Sequence, residues 1–118
     1  MSYLLQHVRR PASKTPTMGG ARIDRREWLN LPGYYGDAAV RAFVEDTSGR
    51  RYRRSAPTPK LELWITDCFN KINLEFDVGS HELRVNSLHK IDTLLDVLGG
   101  FRDGLAAEAD LHATRELR

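Results

Sequence analysis

Arg50, Arg51, Tyr52, Arg53 and Arg54 set four guanidinium groups around one aromatic ring. Guanidinium forks match phosphate oxygens bidentately, and a tyrosine ring offers a face for base stacking. Arg9, Arg10, Arg22, Arg25 and Arg26 could extend this run into a basic surface. The competing reading is a solvated hairpin whose arginines guard a strand edge against pairing with other chains. No helix-turn-helix, zinc-finger or KH pattern accompanies the run, nor does the aromatic sheet motif of RNA-recognition domains.

Asp92, Asp96, Asp103 and Asp110 form a second constellation. Steps of four, seven and seven hold them in one narrow sector of a helix, opposite its apolar face. Such a line of carboxylates would attract a basic surface, or simply be the solvated side of an amphipathic helix. It is poorly suited to a metal, because each seven-residue step separates carboxylates by about 10 Å along the axis. Calcium and magnesium need convergent oxygens. No metal and no cofactor is therefore expected.

Trp28, Tyr34, Tyr35 and Trp64 are the aromatic candidates for an interaction surface. Ordinary core and loop packing competes with that role. Cys68, the single cysteine, lies beside Asp67, whose charge opposes thiolate formation. His7, His81, His89 and His112 have no metal-ligand spacing with it. Phosphate-cradling glycine loops, the G-x-S-x-G motif and C-x-x-C pairs are all missing. The chain is expected not to be an enzyme.

The elements that must carry these groups can be read from periodicity. Residues 1–20 include PASKTPTMGG and read as an arm or linker, leaving 21–118 as a single α+β domain. Asp24 and Glu27 suit the capping box of a short helix through Leu29, ended by Pro32-Gly33. Ala39–Glu45 reads as a strand, the Asp46–Gly49 segment as a turn, and residues 50–55 as the returning strand of a first hairpin. Residues 61–66 and 72–78 form a second hairpin. Leu61, Leu63, Ile65, Ile72, Leu74, Phe76 and Val78 would point inward, with Glu62, Trp64 and Thr66 outward. Ser87 suits the N-cap of a final helix over about 88–113, with an apolar stripe of Ile91, Leu94, Leu95, Leu98, Phe101 and Leu105. Gly99, Gly100 and Gly104 interrupt that helix and suggest a bend or a second helix at close range. The expected fold is an antiparallel sheet of about four strands, in two hairpins, packed against one long C-terminal helix.

The net charge of +2 hides an asymmetry. Residues 1–60 hold 12 Lys and Arg against 5 Asp and Glu, a net of +7; residues 61–118 hold 6 against 11, a net of −5. The halves either neutralise each other within one fold or meet partners of opposite charge. No stretch reaches the roughly 20 apolar residues that span a bilayer, and the apolar start, Tyr3-Leu4-Leu5, is too short for a signal peptide. With one cysteine there is no disulfide framework, so a cytoplasmic location is expected.

Between residues 61 and 105 the segments LELWITDC, INLEF and NSLHKIDTLLDVL, followed by FRDGL, resemble small uncharacterised proteins of actinobacteria and their phages. That resemblance covers less than half of the chain and implies a cytoplasmic accessory protein of phage or mobile-element origin. The function expected is that of a non-enzymatic binding module, working through protein–protein contacts and self-association as a homo-oligomer. A nucleic-acid-binding regulator using residues 50–54 and a small-ligand-sequestering protein are the alternatives. No membrane partner is expected.

Overall fold

The computed structural model describes residues 20–34, 36–49 and 57–117. The expected returning strand at 50–55 lies outside these residues, as does most of the N-terminal arm. The chain divides after Phe76 into two units. The first carries a four-stranded antiparallel sheet; the second, from Asp77, carries one long helix. The fold class is α+β.

Strands β1 (Ala21–Trp28), β2 (Ala39–Glu45), β3 (Leu61–Asp67) and β4 (Asn70–Leu74) lie in sequence order in the sheet, each paired antiparallel with its neighbour. The first expectation to fail is the capped helix at Asp24. That segment is β1, paired with β2 from Ala21 to Trp28 with a register shift between Ala21 and Ile23. Pairing outweighs the local capping signal, as tertiary context often does for a short segment. Asp24 bonds Arg41 on β2 at 3.3 Å instead of capping a helix. The sheet neighbours of β2 are thus β1 and β3.

The hairpin of β3 and β4 is as expected, although β4 ends at Leu74 and not at Val78. Its register places Ile65 opposite Ile72 and Leu63 opposite Leu74, so their side chains share a face. Cys68 and Phe69 form the loop, and Cys68 takes a left-handed φ of 55°. The β1–β2 loop is closed by the Leu29 amide donating to the Ala38 carbonyl at 2.8 Å. Gly36, at φ 112°, suits that loop because a Cβ there would also stand 3.1 Å from the Asn30 amide nitrogen.

The register sorts the sheet into two faces. Ile23, Val40, Ala42, Val44, Leu61, Leu63, Ile65, Ile72 and Leu74 share an aliphatic face, which Arg25 and Glu27 enter from β1. The other face carries Asp24, Arg26, Trp28, Arg41, Phe43, Glu62, Trp64, Thr66, Lys71 and Asn73. Burial is thin. Among the described residues the buried apolar side chains are Ala38 and Ala39, and Ile72 is exposed although the alternation points it inward.

Helix α1 (His81–Glu116) is 36 residues long, about 54 Å. It starts a full two turns before the expected position, and Ser80, not Ser87, is the N-cap, its hydroxyl accepting the Leu83 amide at 3.2 Å. Ser87 has another task. Its hydroxyl accepts the Asp77 amide and donates to the Asp77 carbonyl, both at 2.8 Å, and it is the buried residue of the helix. The Asp77 carboxylate accepts the Gly79 amide at 2.7 Å, and Arg84 donates to the Val78 carbonyl at 3.1 Å. These bonds fix the chain entering the helix. The helix runs through Gly99, Gly100 and Gly104, where an added Cβ would meet nothing within 4 Å. The close neighbour that these glycines suggest is therefore not found among the described residues. Along the apolar stripe Ile91 and Leu94 are half-buried, and Leu95, Leu98, Phe101 and Leu105 are exposed.

Candidate interaction surfaces

The polar and aromatic face of the sheet is organised around Trp64. The Arg26 guanidinium lies 5.6 Å from its ring centroid and the Lys71 ammonium 5.0 Å. In the sheet order β4 adjoins β3 on one side and β1 lies beyond β2 on the other, so the cations come from opposite directions. Ring quadrupoles attract such cations, with a strength that grows as water is excluded. Arg26 also lies 5.7 Å from the Trp28 ring, which is 66% exposed. The indole nitrogen of Trp64 donates to Glu62 at 3.1 Å, which fixes the ring's tilt.

A second cluster adjoins it. Arg41 pairs with Asp24 at 3.3 Å and with Glu62 at 3.6 Å, and stands 5.5 Å from the Phe43 ring. Lys60 reaches Glu62 at 3.7 Å and the same ring at 5.7 Å. Acid and base are balanced here, whereas Arg26 and Lys71 are held by aromatic rings. Two cations, Arg26 and Lys71, thus stand against the tryptophan rings.

Sequence reasoning grouped Trp28 and Trp64 as aromatic candidates, and in the sheet both lie against Arg26. Tyr34 sits in the β1–β2 loop, 72% exposed, with its amide bonded to the Leu31 carbonyl at 3.2 Å. Tyr35 lies outside the described residues, as do Arg50, Arg51, Tyr52, Arg53 and Arg54. Arg41, Phe43, Lys60 and Lys71 were missed as site residues, and Arg26 was put forward only as an extension of the basic run. The i, i+2 spacing of Arg26 and Trp28 was the available signal, hidden by reading that segment as helix.

Asp92, Asp96, Asp103 and Asp110 are all exposed on α1. Among the described residues no group of three His, Cys, Asp or Glu could hold a metal ion. A shallow, open depression along the first turns of α1, lined by His81, Glu82, Val85, Asn86 and His89, comes from one helix face and encloses nothing. Cys68 is exposed at its turn. No described helix is long and apolar enough to cross a membrane.

Large apolar residues of α1 are exposed in a row. Leu88, Leu95, Leu98, Phe101 and Leu105 are between 48% and 67% exposed on this one helix. Single exposed apolar side chains are ordinary, but a contiguous run is a mark of an interaction surface.

Comparison with protein-family models, with curated proteins and with solved structures finds no match to this chain.

Proposed function

We propose that this chain is a non-enzymatic accessory module that acts through protein–protein contacts, self-association among them. The observation that carries the reading is the run of exposed leucine and phenylalanine along α1. Leaving it in water forgoes burial worth roughly 25 cal/mol per Å², which association recovers. The tryptophans and arginine of the sheet face are residue types that dominate binding energy at protein interfaces. The resemblance of residues 61–105 to small actinobacterial and phage proteins fits an accessory role of phage or mobile-element origin. Size-exclusion chromatography with light scattering, run at low and at high salt, tests the reading. A dimer or larger assembly is expected, and a strict monomer in both would remove self-association from it.

A second reading is favoured by one observation, the placement of Arg26 and Lys71 beside Trp28 and Trp64. Cations interleaved with aromatic rings suit a single-stranded nucleic acid. Its signature is affinity for an oligonucleotide that falls steeply with salt. The double substitution Arg26→Glu and Lys71→Glu should abolish that affinity; if binding is unchanged, this face is not the site.

A further inference from the structure

The exposed side chains of α1 follow a stricter order than an apolar stripe. Stepping alternately by three and four residues from Leu88 gives Ile91, Leu95, Leu98, Arg102, Leu105, Ala109 and His112. This is the a/d seam of a two-stranded coiled coil. Continuing the same steps outward adds Arg84 at one end and Glu116 at the other. Large residues fill the N-terminal half of the seam. Alanine recurs in and beside the C-terminal half, at Ala106, Ala109 and Ala113.

We propose that α1 pairs antiparallel with α1 of a second copy, about a two-fold axis near Gly100. The proposal rests on the self-association reading above and names the surface that performs it. In this arrangement seam residues meet when their numbers sum to about 200. Arg84 then meets Glu116 of the second copy, Ile91 meets Ala109, Leu95 meets Leu105 and Leu98 meets Arg102. Opposite charges close both ends of the seam, Leu95 and Leu105 form two leucine layers, Ile91 packs on the small Ala109, and Leu88 meets His112.

A parallel pair would instead set every seam residue against itself. Arg84, Arg102 and Glu116 would each meet a like charge, at a cost that pairing specificity exploits. The antiparallel pair also sets the helix dipoles favourably side by side, each N-terminus next to the other's C-terminus. Arg102 is the one charged residue in the middle of the seam. Its aliphatic stem can lie against Leu98 while its head reaches water. The open space at Gly99 and Gly100 leaves room for that. Asp96, Asp103 and Asp110 follow one another at seven-residue steps outside the seam, so these three stay in water in the pair, while Asp92 flanks it.

Two measurements on the full chain test this together. Light scattering compares the unaltered protein with the double substitution Leu95→Glu, Leu98→Glu, and with Val97→Glu, which alters an equally exposed residue off the seam. The seam variant should weaken the dimer by roughly 100-fold or more, and Val97→Glu should leave it intact. Circular dichroism confirms that each variant keeps its helix. Spin labels at Glu82→Cys or Asp103→Cys, in a Cys68→Ser background, then report direction by electron–electron distances. With 1.5 Å rise per residue, the Asp103 labels should be close and the Glu82 labels about 50 Å apart. A dimer that survives the seam substitution overturns the proposal and leaves self-association standing. Two short distances overturn the antiparallel direction. A monomeric unaltered protein removes both.

Discussion

At the residue scale, charges and backbone angles are tuned by immediate neighbours. Ser48, through its hydroxyl and its amide, holds the Asp46 carboxyl below the usual carboxylate range, and Arg22 at 3.3 Å adds to the effect. A carboxyl with a lowered folded pKa adds stability above its unfolded value, and that stability is lost as pH falls through the folded one. Carboxyl titration by NMR should therefore place the Asp46 midpoint below that of a free aspartate. In Ser48→Ala the midpoint should move back up; an unmoved midpoint would show that Ser48 is not the cause. Cys68 holds a left-handed φ that side chains with a Cβ resist. Cys68→Gly should stabilise the protein by about 0.5–1 kcal/mol, net of glycine's greater freedom in the unfolded chain. Denaturant melts would read this directly, and a loss of stability would mean that the thiol makes a contact worth more than the strain.

At the element scale, the helix begins where its first-turn amides are satisfied, not where its apolar period begins. Ser80 caps it, and Ser87 clamps both backbone groups of Asp77 from within the second turn. Ser87→Ala would leave that amide and carbonyl to find water, at a cost of about 1–3 kcal/mol. Hydrogen exchange should show faster opening of residues 77–83, with residues near 110 unchanged. Uniform acceleration along the helix would contradict a local clamp. The glycines make a complementary case. Replacing Gly104 with alanine should stabilise α1 by about 1 kcal/mol, since the new methyl meets nothing and glycine is the poorer helix former. A melting temperature that falls in Gly104→Ala would show a close neighbour at that face.

At the scale of the whole molecule, salt separates two kinds of assembly. A contact made by the basic half of one copy with the acidic stripe of another would weaken sharply as salt rises, because exposed charges are screened within about 10 Å at 0.1 M. A leucine seam with charge pairs at its ends and Arg102 as its one central charge would change by no more than about threefold over the same range. Equilibrium sedimentation across a salt series distinguishes them. A steep salt dependence would point to the charged surfaces and away from the seam.

Periodicity alone determined much of this protein. The alternation in β3 and β4 fixed which side chains share a face, because a strand's period of two leaves little choice. Three- and four-residue apolar steps likewise marked α1. What lay outside its reach were β1 and the true start of the helix. Asp24 and Ser87 each carry a capping side chain that local chemistry reads correctly in kind, yet one joins an ion pair across strands and the other braces Asp77. Those roles depend on partners 17 and 10 residues away, and short-range pattern cannot supply them. The meeting of Trp28, Arg26, Trp64 and Lys71 was likewise decided by strand order, since four residues spread over three strands become neighbours only when the sheet is assembled.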